Sequence, residues 1–277
     1  MAKKETLLAK ASNEVPDWMK EYRGEGQEDI QPEDMRMPRL KLGQSLTQEV
    51  KDKLAEEGDM IHNITKEVIC PAGQTIHVIP ICYSKEYILW RDIKNGGGIF
   101  ARARRVSDNG NIRFQWDKPG QVFEDKIGGT LKVKYETKKY IDEDGLGDWG
   151  SQISDDPDSK PAATAHYNYV FMLPNKEMIA VSLSKTSAKK AEELNTMMKL
   201  GEAPTFARIF ELSTYIEPGD GTSFANYQFK PAGLVQDQDL FMELRSLHES
   251  LKEKGINVDY SDEGEAKSDN EGDEGRF

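Results

Sequence analysis

The chain has 277 residues, 37 % of them hydrophobic and 31 % charged, with a net charge of −12. That length suits one large domain or two small ones, at about 100–200 residues per domain. No stretch reaches the ~18 uninterrupted apolar residues of a spanning helix, which excludes a membrane protein built on helices.

Residues 1–34 lack a sustained apolar face and read as a flexible N-terminal segment. Their start, Met1-Ala-Lys-Lys-Glu-Thr6, has no apolar signal core, so a cytoplasmic location is expected. Residues 35–256 read as a single domain. A short helix is predicted from Ser45 or Thr47, burying Val50 and Leu54 and stopping at Gly58. Gln74–Tyr83 is a continuous apolar run and reads as a buried strand, with Tyr87–Trp90 continuing the sheet until Gly96-Gly97-Gly98.

Ile99–Val106 and Ile112–Trp116 flank Asn109-Gly110, a strong hairpin cue because both central residues of a type I′ turn need positive φ. The implied register sets Asp108 opposite Asn111, Arg105 opposite Phe114 and Ala103 opposite Trp116. Ile99, Ala101, Ala103, Ile112, Phe114 and Trp116 then form an apolar face broken by Arg105. Phe100, Arg102, Arg104, Arg113 and Gln115 form the other. Leu131–Tyr140 alternates in the same way, with Lys132, Lys134, Lys138 and Tyr140 on one side.

Beyond a loop at 142–160, Tyr167, Tyr169, Phe171 and Leu173 alternate along a strand that turns at Pro174-Asn175 into Met178–Leu183. A helix follows from Ser187 to Leu200. Phe206–Ile216 and Phe224–Phe229 form a hairpin, and Leu240, Leu244, Leu247 and Leu251 mark a last helix ending near Gly255. Residues 257–277 read as a disordered acidic tail. Short strands with turn chemistry and few helices predict a mainly β fold with appended helices (α+β), an antiparallel β-barrel of the OB-fold-like kind.

The charge is segregated. Residues 142–158 hold seven acids and no base, and residues 259–277 hold eight acids and two bases, whereas residues 35–141 hold 19 bases and 13 acids. A basic middle between acidic flanks says more about partners than about fold. Gly145-Leu-Gly147-Asp-Trp-Gly150 matches GxGxxG, but it lies among carboxylates that repel phosphate, so no cofactor is expected. Cys70 and Cys82 read as reduced structural thiols, and with His62 and His77 they lack zinc-ligand spacing, so no metal is expected. Whether the 142–158 acids hold a divalent cation is left open. GxSxG, GxxxxGK[ST] and HExxH motifs are all missing, so no enzyme is expected.

Single-strand binders combine cations that follow the backbone with rings that stack on any base. Arg102, Arg104, Arg113, Lys132, Lys134, Lys138 and Lys139 are the candidate phosphate contacts here. Phe100, Tyr140, Tyr87 and Trp90 are the candidate stacking rings. The tail closes on Asp273, Glu274 and Phe277, acids followed by one ring, which suits docking to a basic partner through a pocket.

The strand faces mixing Lys and Arg with aromatics, the expected small barrel and the acidic tail ending in Phe277 resemble those of bacteriophage single-stranded DNA-binding proteins. Arg276 stands where the bacterial tail pattern has Pro, and Lys267 interrupts the acids. Pro38-Arg-Leu-Lys-Leu-Gly-Gln44 and Leu183-Ser-Lys-Thr-Ser187 look like segments of phage early proteins. The resemblance implies an OB-fold core, no catalysis, and sequence-tolerant binding of single-stranded DNA in phage replication or recombination. It also implies a tail that recruits a polymerase, primase or helicase, with self-association into a homodimer left open. The alternative is a non-enzymatic phage interaction protein, an inhibitor or polymerase-binding factor, whose acidic segments mimic nucleic acid.

Overall fold

The computed structural model of the chain describes residues 17–22, 25, 36–218, 223–254, 258 and 260. Residues 1–36 form one unit, in which Asp17–Tyr22 is a short 3-10 helix, and residues 37–277 form the other. Among the described residues no helix is long and apolar enough to cross a membrane.

The second unit is mostly β-sheet with a few helices. Its strands are β1 (Leu40–Leu42), β2 (Met60–His62), β3 (Val68–Cys70), β4 (Thr75–Trp90), β5 (Ile99–Asp108) and β6 (Asn111–Trp116). They continue as β7 (Val122–Ile127), β8 (Leu131–Glu136), β9 (Ala163–Met172), β10 (Met178–Ser184), β11 (Arg208–Pro218) and β12 (Ser223–Leu234). The helices are α1 (Gln48–Lys51), α2 (Ile141–Asp144), α3 (Ala188–Lys199) and α4 (Gln238–Lys254).

The two strands expected over 74–83 and 87–90 are one 16-residue strand, β4, which organises the main sheet. One edge of β4 pairs along β9, which pairs β10 in turn. Its other edge is shared: Thr75–Val78 pairs β11 of the β11–β12 hairpin, and Glu86–Trp90 pairs β5 of the β5–β6 hairpin. The outcome is a seven-stranded antiparallel sheet, a three-stranded sheet β1–β2–β3 and a separate β7–β8 hairpin. These sheets are not closed into a barrel, and the expected OB-fold is not what they form. Beyond its β1–β2 ladder, the segment 38–44 contacts both β10 and β12. Arg39 bridges Ala180 on β10, the Gln44 amide exchanges hydrogen bonds of 2.7 and 2.9 Å with the backbone of Ala225, and the Tyr227 hydroxyl donates to the Leu40 carbonyl.

The Asn109-Gly110 turn has the predicted positive φ at both residues, 50° and 82°, and the register is the expected one. The face assignment fails at two residues, Phe100 and Ile99, the latter pairing Trp90 and packing with Ile88 rather than with Ala101. A bulge leaves Phe100 without a partner between the pairs Leu89–Ala101 and Trp90–Ile99, and Phe100 is buried beside Ala101 and Ala103, against Phe123. A second bulge in β4 leaves Ile81 unopposed by β9. His248 of α4 donates from Nδ1 to its carbonyl at 2.7 Å, satisfying a group the ladder does not reach.

α4 buries Leu244 against Ile81 and Met172, and α3 buries Ala191, Leu194 and Met198 against Tyr169 and Phe171. Full burial of each leucine is worth about 1.5–3 kcal/mol. The helix expected after Thr47 is a single turn. Leu54 is exposed, and the buried side chain is Glu49, held by Lys41 and Lys66 at 3.2 and 3.3 Å. Burial alone would raise the Glu49 pKa, but a backbone hydrogen bond and the two lysines bring it below the ordinary value.

The acidic segment after α2 is folded. Gly150 donates to the Ser159 carbonyl and Gln152 to that of Lys160, closing the loop at its neck. The tail residues Asp273, Glu274 and Phe277 lie outside the described residues, as do most of residues 1–34.

Candidate nucleic-acid interface

The predicted contact residues do not share one groove. They fall into four places.

Lys132 and Lys134 are exposed on β8. Lys132 stands directly opposite Lys126 of β7, and Lys134 opposite Glu124. Like charges directly opposed across a pair of strands are destabilising, so the Lys126–Lys132 pair favours an anion, whereas Lys134 is balanced by Glu124.

Arg113, Lys138, Lys139 and Tyr140 gather around α2. Tyr140 is buried at the N-terminus of that helix, so it has no face left for a base. The Arg113 guanidinium lies 3.8 Å from the Tyr140 ring centroid and bonds Asp142 at 2.7 Å and Glu143 at 2.9 Å. Those hydrogen bonds raise the Arg113 pKa further. Asp144 accepts from Trp116 Nε1 and from the Lys138 amide. Asp142, Glu143 and Asp144 thus serve the fold. Lys138 and Lys139 are exposed, with the Lys139 ammonium 4.7 Å from the Tyr140 centroid.

Arg102, Arg104 and Trp90 lie on one face of the main sheet. Arg104 is near Glu86, its Nε 3.7 Å from a carboxylate oxygen. Arg102 donates to the Val258 carbonyl and stacks on Tyr260, and the Trp90 ring meets His166 and Tyr260. Phe100, expected beside them, is core.

Tyr87 is on the opposite face, where the register builds a platform that the sequence did not disclose. Lys85 pairs with Tyr167 of β9, Tyr87 with Ala165 and with Ala103 of β5, and Arg105 with Phe114 of β6. Alternation along the strands puts Tyr83, Lys85, Tyr87, Arg105, Phe114 and Tyr167 on one surface. The Lys85 ammonium sits 4.9 Å from the Tyr87 ring, 5.0 Å from Tyr167 and 5.8 Å from Phe114. Burial would lower its pKa, but hydrogen bonds to the Tyr87 and Tyr167 hydroxyls outweigh this and raise it, so Lys85 stays charged. Tyr87 meets Phe114 edge to face at 5.0 Å. Lys85, Tyr87 and Phe114 are half-buried and Arg105 is exposed, so ring surface and charge both reach solvent. A lone lysine among strand aromatics gives little signal, because only the pairing of distant strands brings the rings to it.

Among the described residues no group of three or more His, Cys, Asp or Glu side chains is arranged to hold a metal ion. Burial raises the pKa of both cysteine thiols, which keeps them protonated.

No curated protein and no solved structure matches this chain. A family of phage proteins does, over residues 3–257, and the chain belongs to it: the Pam3 phage gp34-like family.

Proposed function

We propose that the protein binds single-stranded DNA with little sequence preference, in phage DNA replication or recombination, and that the platform around Lys85 is its main contact surface. The observation that carries the reading is a permanently charged lysine held among three rings on a solvent-facing sheet, with Arg105 in the adjacent strand. Cations there meet phosphates, while Tyr87 and Phe114 offer ring surface to bases of any identity. Lys126, Lys132 and Lys134 form a second basic surface along which a strand can continue. The acidic tail ending in Asp273, Glu274 and Phe277 is the element proposed to recruit a replication protein.

Fluorescence anisotropy with a labelled oligo(dT) strand and with a duplex of equal length tests this. Tight binding to the strand, weaker binding to the duplex, and no dependence on divalent cations are expected. Equal affinity for duplex, or no binding to either, would remove the reading.

A further inference from the structure

The turn from Gly145 to Gly150 stands against the platform and carries an indole that nothing in the fold covers. Trp149 is 71 % exposed, and among the described residues of the second unit it is the only aromatic side chain left largely in solvent. Its backbone is nevertheless fixed on both sides. The Asp148 N–H donates to the Gly145 carbonyl at 3.0 Å, the Gly150 N–H to that of Ser159 at 2.7 Å, and the Ser151 hydroxyl to that of Asp148 at 2.6 Å. Leu146 is buried, and its carbonyl accepts from the amide of Ala163 at the start of β9.

Gly147 lies directly on the platform. A Cβ there would be 3.3 Å from Tyr87 Cε1 and 3.1 Å from Ile141 Cδ1, closer than nearly all real Cβ contacts. The glycine spacing that imitates a dinucleotide fingerprint thus seats this turn against a ring of the platform. Trp149 follows two residues later, so its Cα is within about 7 Å of that contact point along the chain. Tyr87 and Phe114 are half-buried and meet edge to face, so each offers a base only part of its ring. The indole offers a whole face, on a backbone that needs no further ordering when a ligand binds.

The acids of the segment leave this approach open. Asp142 and Glu143 are bonded to Arg113, and Asp144 accepts from Trp116 Nε1. Asp155, Asp156 and Asp158 lie beyond the neck that Gly150 and Ser159 close, and Asp155 lines the groove beside Lys132 and Lys134. Asp148 is the exposed carboxylate next to the indole in the chain.

We infer that Trp149 is a base-stacking residue that extends the Lys85 platform, with Gly147 as the residue that positions its turn. This rests on the single-strand reading above and names a further ring that takes an unstacked base.

The test measures binding of the full-length parent, Trp149→Ala and Trp149→Phe to labelled oligo(dT) and to an abasic deoxyribose-phosphate strand of equal length. Trp149→Ala should bind oligo(dT) at least fivefold more weakly, whereas Trp149→Phe should stay within about twofold of the parent. All three should bind the abasic strand equally, and the log–log salt slope on oligo(dT) should be unchanged in Trp149→Ala, because no cation is lost. Asp148→Asn, which removes the adjacent charge and keeps the indole, should tighten binding at low salt. The chain has four tryptophans, and saturation with oligo(dT) should change the parental emission through one of them, so Trp149→Phe should lose most of that change. A urea midpoint checks that Trp149→Ala is folded; if it is not, the emission of Trp149→Phe carries the test. Parental oligo(dT) affinity in folded Trp149→Ala, or a full emission change in Trp149→Phe, would overturn the inference and leave the single-strand reading standing. A parent that binds no oligo(dT) would remove both. An equal loss on the abasic strand would overturn the stacking role, and an emission change with oligolysine but none with oligo(dT) would assign the indole to a basic protein partner instead.

Discussion

Arg113 is stacked on Tyr140 at 3.8 Å and is bonded by its Nη2 to Asp142 at 2.7 Å, so a cation that alternation points outward is committed to the acidic loop. Asp142→Asn combined with Glu143→Gln should release it. Single-strand affinity should then rise at low salt and return to the parental value at high salt, because screening removes the effect of exposed charges beyond about 10 Å at 0.1 M. Anisotropy titrations at two salt concentrations check this. An unchanged low-salt affinity would mean Arg113 is remote from the bound strand.

A backbone prediction concerns Gly43, at the end of the segment joining the two sheet edges. A Cβ there would lie 2.6 Å from the Glu56 carbonyl oxygen, a distance that real Cβ atoms do not show. The contact is fixed by the bonds Gly43 N–H to Asp59 O and Gly58 N–H to Gly43 O, both 2.8 Å. Gly43→Ala should therefore lower stability by about 1–3 kcal/mol, the range for overpacking a closely fitted site. Urea denaturation measures it.

His166 sets a pH window. Burial, with Lys185, Arg39 and Arg102 nearby, lowers its pKa to about 3 from an ordinary value near 6.5. The unfolded chain therefore takes up a proton below about pH 6.5 that the folded chain refuses. The stability from neutral His166 is complete above that pH and is lost progressively as the pH falls towards 3. His166→Asn should flatten the decline of urea midpoint between pH 7 and pH 5 relative to the parent. Parallel declines would place the titrating group elsewhere.

Lys126 and Lys132 should separate stability from binding. Lys132→Glu replaces a like-charge cross-strand pair with an attractive one, worth about 0.2–1 kcal/mol in favour of the fold. If this hairpin carries part of a strand, the same change should weaken single-strand binding. A more stable protein with unaltered affinity would exclude the β7–β8 surface.

Local chemistry was legible in the chain where it was self-sufficient. Asn109-Gly110 sets both its turn and its register, and α3 and α4 declare their buried faces through Leu194 and Leu244. What depended on distant partners was not. Phe100 changes face because of a bulge created by pairing with Leu89 and Trp90. Lys85 acquires its rings only when β9 and β6 are in place, and the open sheet arises because β4 divides one edge between β11 and β5. Tyr260 is hidden by composition: an acidic, Gly-containing segment reads as solvated, yet this ring is among the largest fully buried side chains.

The most direct test is the salt dependence of oligo(dT) binding by the parent and by Arg105→Ala, an exposed change that leaves the core untouched. With three to five phosphates engaged, the parental log–log slope should lie near −2 to −4, at roughly 0.7 per phosphate, and Arg105→Ala should reduce its magnitude by about 0.7 while weakening affinity. Tyr87→Ala should cost about 1–3 kcal/mol at every salt concentration if a base stacks there. A slope near zero, or one identical in the parent and Arg105→Ala with equal affinity, would contradict the assignment of the Lys85 platform to single-stranded DNA.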